Sequence, residues 1–136
     1  MSFNLPKAEL LQTVMLVQAA LCDEAGPHTL SSGRSTHFTI DGGVMLENEV
    51  GYSLLQRLFA LPTGEPYRCH VPRYAISAGF ADGEFLVVAI CWECNNISLN
   101  DSGRYDSRTF DGESQQAQEL LRDVKRYFAS PSETTP

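Results

Sequence analysis

The residues whose types and spacing could do chemistry are Cys69, His70, Cys91 and Cys94. Cys91-Trp92-Glu93-Cys94 has Cys-x-x-Cys spacing, and with Cys69 and His70 it supplies the donor types of a Cys3His zinc site. The same spacing serves thiol–disulfide chemistry when a helix N-terminus follows and lowers a thiol pKa. Here Asn95-Asn96-Ile97-Ser98-Leu99 follows, which reads as strand or turn and lacks that helix. The third reading is packing, because an unmodified cysteine behaves as a small apolar residue and is often buried. The remaining cysteine, Cys22, lies beside an apolar stripe and takes this last reading.

These residues must be positioned by the stretch from Glu84 to Leu99, which contains the longest unbroken apolar run, Phe85 to Ile90. It reads as a central strand. Ala81-Asp82-Gly83-Glu84 before it sets Asp-Gly at the centre of a two-residue loop, which suits a type I′ hairpin turn. Tyr67 to Phe80 is then the antiparallel partner. Pairing Ala81 with Glu84 puts Phe80 opposite Phe85, Ile76 opposite Ala89, Tyr74 opposite Cys91, Val71 opposite Cys94 and Cys69 opposite Asn96. Side chains alternate faces along a strand. Cys69 and Cys94 therefore share a face as diagonal neighbours, about 7–8 Å apart, while Cys91, His70 and Glu93 take the other face. Zinc would need a bulge or bend near Trp92 to Cys94. Pro72, opposite Glu93, cannot donate to the ladder and marks where such a break would fall. His70 faces Asn95, too far along the ladder to act as a base for Cys91. Arg73 faces Trp92, which allows a cation–π contact or simple packing of the arginine stem on the ring. With Glu93 these two form a candidate recognition patch.

The rest of the chain supplies the scaffold. Leu10, Val14, Val17 and Leu21 recur at helical spacing, so a first helix is expected over Pro6 to Cys22. Thr36 to Ile40 reads as a short strand, and Val44 to Leu46 as either a strand or the approach to a helix. A second helix is expected over Glu49 to Ala60, weakened by Gly51 by roughly 1 kcal/mol relative to Ala. Asn100 to Gly103 is a turn, Tyr105 to Phe110 an edge strand, and Asp111 the N-cap of a last helix reaching Phe128. The expected fold is α+β: a three- to four-stranded, mainly antiparallel meander with about three helices, one domain over residues 1–129 and a polar tail over 130–136.

Cys69-His70-Val71-Pro72-Arg73, followed by Ile90-Cys91-Trp92-Glu93-Cys94, resembles a family of small, uncharacterised bacterial proteins. These carry a Cys-x-x-Pro-Arg element and then Ile-Cys-aromatic-x-Cys. The likeness covers Cys69 to Leu99, under a quarter of the chain. It implies a shared site in that segment and no particular activity.

The formal net charge of −7 disfavours nucleic acid and anionic membranes as partners; it leaves room for a basic protein partner, and its plainer reading is that acidic charge keeps the chain soluble. The N-terminus lacks the pattern of a signal peptide, and no apolar run approaches the roughly 20 residues that span a bilayer. A cytoplasmic protein is expected, with its cysteines reduced unless they bind metal or do redox work. No carboxylate pair or glycine-rich phosphate loop assembles a catalytic set. The functional expectation is a small, acidic, non-enzymatic binding protein, an adaptor or immunity-like protein that masks a basic partner. The alternative is a small zinc- or thiol-dependent protein using Cys69, Cys91 and Cys94. No cofactor other than zinc is expected.

Overall fold

At the centre of the computed structural model, which describes residues 8–22, 26, 29–33, 36–65 and 72–128, lies a twelve-residue strand, β1 (Leu11–Cys22). The helix expected over Pro6 to Cys22 is replaced here by this strand, preceded by a single 3-10 turn at Ala8–Leu10. The physical reason is burial on both sides. Val14 and Leu16 belong to the core under the helices, whereas Val17 belongs to a second core with Phe38 and Ala75 on the opposite face. A strand covered on both faces is apolar throughout and loses its alternation, so helical spacing arises by coincidence. Thr13, Val14 and Val17 are β-branched, which suits the pleat.

The chain continues through β2 (Thr29–Gly33), β3 (Thr36–Leu46), α1 (Asn48–Phe59), β4 (Tyr74–Phe80), β5 (Phe85–Cys91), β6 (Asn96–Asp101), β7 (Arg104–Thr109) and α2 (Gln115–Arg126). The strands form one antiparallel sheet in the order β2-β3-β1-β4-β5-β6-β7. This corrects the expected fold class: the sheet has seven strands rather than three or four, and the described residues hold two α-helices rather than about three. The extra strands come from β1, read as helix, from β2, read as loop because Ser31, Ser32 and Gly33 carry no apolar pattern, and from the expected Glu84–Leu99 strand, which is two strands, β5 and β6. The expected tail over 130–136 lies outside the described residues.

The sheet curls until it is nearly a barrel. β2 sits at one end of the strand order, yet Ser98 of β6 donates to the Ser32 hydroxyl at 2.7 Å and Asn100 Nδ2 donates to the Ser31 carbonyl at 3.0 Å. A bulge helps the curvature: the β1–β3 register shifts at Gln18/Ala19, leaving Asp41 as the extra residue of β3. The curl encloses Val17, Phe38, Ala75, Val87 and Ala89. On the other face, α1 contributes Leu54, Leu55 and Leu58, and α2 contributes Ala117, Leu120 and Val124. Gly51 is explained by this packing, since a Cβ there would lie 2.6 Å from the Val14 side chain.

Two hairpin turns, one between β4 and β5 and one between β6 and β7, set registers in this half of the sheet. The Asp82-Gly83 turn is a three-residue loop rather than the expected two-residue one. Phe80 N–H donates to the Glu84 carbonyl at 3.0 Å, and only Gly83, at φ +85°, takes a left-handed conformation. The pairing therefore slips by one residue: Gly79 faces Phe85, Ile76 faces Val88 and Tyr74 faces Ile90. The type I′ conformation, with positive φ at both central residues, occurs instead at Ser102-Gly103 between β6 and β7. α2 also begins later than expected. Ser114 caps it, accepting from Ala117 N–H at 3.2 Å, while Asp111 makes a local turn to Glu113.

Candidate functional site

β5 ends at Cys91, which pairs with Asn96 of β6, and residues 92–95 form the turn between them. The strand expected to run on to Leu99 is thus broken between Cys91 and Asn96. The Cys-x-x-Cys motif wraps around a turn instead of lying along a strand. Cys94 N–H donates to Cys91 Sγ at 3.2 Å. Asn95 closes the turn in the left-handed region at φ 56°, a conformation that asparagine tolerates better than most residues.

Within the turn Cys94 is buried, Trp92 and Asn95 are half-buried and Glu93 is exposed, and later parts of the chain hold it. Asn95 carbonyl accepts from Phe110 N–H at 2.9 Å, and Asn95 Oδ1 accepts from Gly112 N–H at 3.2 Å. Position 112 has no room for a side chain: a Cβ would lie 2.4 Å from Asn95 Oδ1 and 2.8 Å from the Trp92 carbonyl. Trp92 Nε1 donates to the Ala117 carbonyl in the first turn of α2 at 3.0 Å. Its ring makes edge contacts with Tyr74 (6.1 Å between centroids) and Phe110 (6.2 Å), and Tyr74 stacks on Phe128. The indole is therefore a strut between the turn and α2.

Cys91 and Cys94 differ in chemical state. Cys91 is a thiol, 2 % exposed. Cys94 is disulfide-bonded and 1 % exposed. The disulfide at Cys94 departs from the expectation of reduced cysteines, which applies to cysteines that neither bind metal nor do redox work. A cleft of about 200 Å³ adjoins Cys91, bordered by Arg73, Tyr74, Trp92, Glu93 and Lys125. The candidate recognition residues Arg73, Trp92 and Glu93 all border this cleft. Arg73 meets Glu93 at 3.3 Å with both side chains largely exposed, while the ring contacts of Trp92 are with Tyr74 and Phe110. Among the described residues, the cation–π contact is Arg108 over Phe59, 5.2 Å from the ring centroid.

Of the four candidate zinc ligands, Cys91 and Cys94 are brought together, and Cys69 and His70 lie outside the described residues. Among the described residues, no group of three or more His, Cys, Asp or Glu side chains is arranged to hold a metal ion. His37 Nδ1 is engaged by the Ser31 hydroxyl at 2.7 Å. Asn95, Gly112 and Phe110 are the supporting residues that motif reading passed over. The signal for the first was Asn95-Asn96 directly after the second cysteine, a dipeptide suited to a turn.

Two further hollows lie away from this site. One of about 490 Å³ lies between the helices and is crossed by the Arg57–Asp123 pair at 2.9 Å. The other, about 680 Å³, runs beside β7 and is bordered by Phe59, Ile97, Arg108 and Phe110. No helix among the described residues is long and apolar enough to cross a membrane.

Comparison with protein-family models, with curated proteins and with solved structures gives no match. The resemblance over Cys69 to Leu99 is thus one of short motifs.

Proposed function

We propose that this is a thiol-dependent protein whose working site is the Cys91–Cys94 turn. The observation that carries the reading is the pairing of unlike sulfur states in one turn: Cys94 is disulfide-bonded, and its own N–H donates to the thiol sulfur of Cys91 at 3.2 Å. No helix follows the motif, since β6 begins at Asn96, so the thiol activation of a thioredoxin-like site is missing. The reading is accordingly a response to thiol redox poise rather than rapid disulfide catalysis. The Trp92 strut couples the turn to α2, so a change at the sulfurs reaches a helix.

Mass-tagging of thiols across a series of glutathione redox buffers tests this. The expected result is that Cys94 passes from disulfide to thiol within the range of physiological buffers while far-ultraviolet circular dichroism is retained. If Cys94 stays a thiol under oxidising buffers, or its disulfide survives every buffer, the cysteines are packing or a fixed staple and the reading falls.

A second reading, zinc binding in the reduced protein, is favoured by one specific observation. A turn that aims the second cysteine's N–H at the first cysteine's sulfur supplies two donors from a single rigid element. Cys69 and His70 remain the proposed completing ligands. About one zinc per chain in reduced, untagged protein, lost in Cys94→Ser, would support it; metal-free reduced protein would remove it. The competing proposal, a non-enzymatic adaptor or immunity-like protein for a basic partner, rests on the net charge of −7 alone.

A further inference from the structure

Resting on the thiol-dependent reading, we infer that Cys91 is the resolving thiol of the site and that the disulfide held by Cys94 migrates to it, closing a Cys91–Cys94 bond across the turn. The geometry comes from the turn. Cys91 Sγ lies 3.2 Å from the Cys94 nitrogen, and only the Cα and Cβ of Cys94 separate that nitrogen from its own sulfur. Four-residue turns bring their end Cα atoms within about 7 Å, and disulfides span Cα separations of about 4.4–6.8 Å. The backbone is fixed from behind by Asn95, Gly112 and the Trp92 strut, so a rotation about the Cys94 side chain makes the approach.

Burial selects the reaction partner. Cys91 is 2 % exposed, so bulky external disulfides are kept from it, while the bond to Cys94 is already inside. The step is an isomerisation. Cys91 loses its proton, and its thiolate attacks Cys94 Sγ. The Cys91–Cys94 bond forms as the existing bond to Cys94 breaks. The sulfur released leaves as a thiolate and takes up a proton. One disulfide and one thiol are present before and after, so neither oxidant nor reductant is consumed. The outcome is a protein with two disulfide isomers, one joining the turn to another part of the chain and one confined to the turn.

The experiment uses the full chain, oxidised, incubated near neutral and at mildly alkaline pH, quenched with acid and mapped by non-reducing peptide mass spectrometry. The expected result is two linkages in wild type. The Cys91–Cys94 form should appear faster at alkaline pH, as thiolate attack requires, and Cys91→Ser should retain a single linkage. Cys69→Ser, oxidised in parallel, should give the Cys91–Cys94 bond as its main intrachain product. A Cys94 disulfide that never includes Cys91, in wild type or in Cys69→Ser, overturns this inference and leaves the thiol-dependent reading standing. Absence of any Cys94 disulfide under oxidation removes both.

Discussion

β5 has a turn at each end, and the two are built in opposite ways. The turn before it, Ala81-Asp82-Gly83, is exposed and shaped mainly by its own residues, with Asp82 Oδ1 accepting from Glu84 N–H at 3.1 Å and Gly83 supplying the one left-handed conformation; among the described residues, its one bond from outside the hairpin is Ala81 N–H to the Leu10 carbonyl at 2.7 Å. The turn after it, Trp92 to Asn95, contains the buried Cys94 and is held from outside by Phe110, Gly112 and Ala117. A local turn follows from the identity of its own residues. A braced turn follows from what packs on it, and this is where a thiol and a disulfide can be kept at close quarters without exposure to solvent.

Four substitutions sharpen or break that contrast. The largest effect is expected for Trp92→Ala, which removes the strut and three ring or hydrogen-bond contacts. It should lower unfolding free energy by about 3 kcal/mol, the low end for large aromatic truncations because the side chain is only half-buried. Urea denaturation followed by circular dichroism measures it, since Trp92 is the sole tryptophan and its fluorescence is lost with it. Gly112→Ala comes next, at about 2 kcal/mol, because the added methyl meets the Trp92 carbonyl and Asn95. In that variant the fluorescence of Trp92 should shift, which reports displacement of this turn in particular. Gly83→Ala should cost about 1 kcal/mol, purely for the left-handed backbone, since nothing lies within 4 Å of the new methyl. Tryptophan emission should not move. If Gly83→Ala costs as much as Gly112→Ala, the distinction between a self-supporting and a braced turn is wrong. The smallest effect belongs to Arg73→Ala, whose ion pair with Glu93 is largely solvent-exposed and should contribute less than about 0.5 kcal/mol, vanishing in added salt.

The same contrast accounts for how much was legible in the sequence. α1 lies where periodicity placed it, and α2 lies within its expected span though it starts three residues late, because each buries one stripe and leaves the other face in water. β4 ends and β7 begins close to where expected, each next to a Gly-containing turn, whereas the single strand expected to run on to Leu99 is split into β5 and β6 by the turn at residues 92–95. The register did not follow. A single residue in the Asp82-Gly83 loop moved the partner of Tyr74 from Cys91 to Ile90, and the sequence permits both loop lengths. The helix expected at β1 failed because a strand buried on both sides shows no alternation to distinguish it.

For the site, the sequence by itself determined the residue types: two cysteines separated by two residues, an asparagine fit for a left-handed turn, and an aromatic between the sulfurs. Those are covalent facts and local conformational preferences. Only the tertiary structure decided that the strand stops at Cys91, because Asn95 is fixed there by Phe110 and Gly112, some fifteen residues further along. It also decided that one sulfur is a buried thiol and the other a disulfide. Long-range contacts choose among the conformations that local chemistry leaves open, and no pattern within the motif encodes that choice.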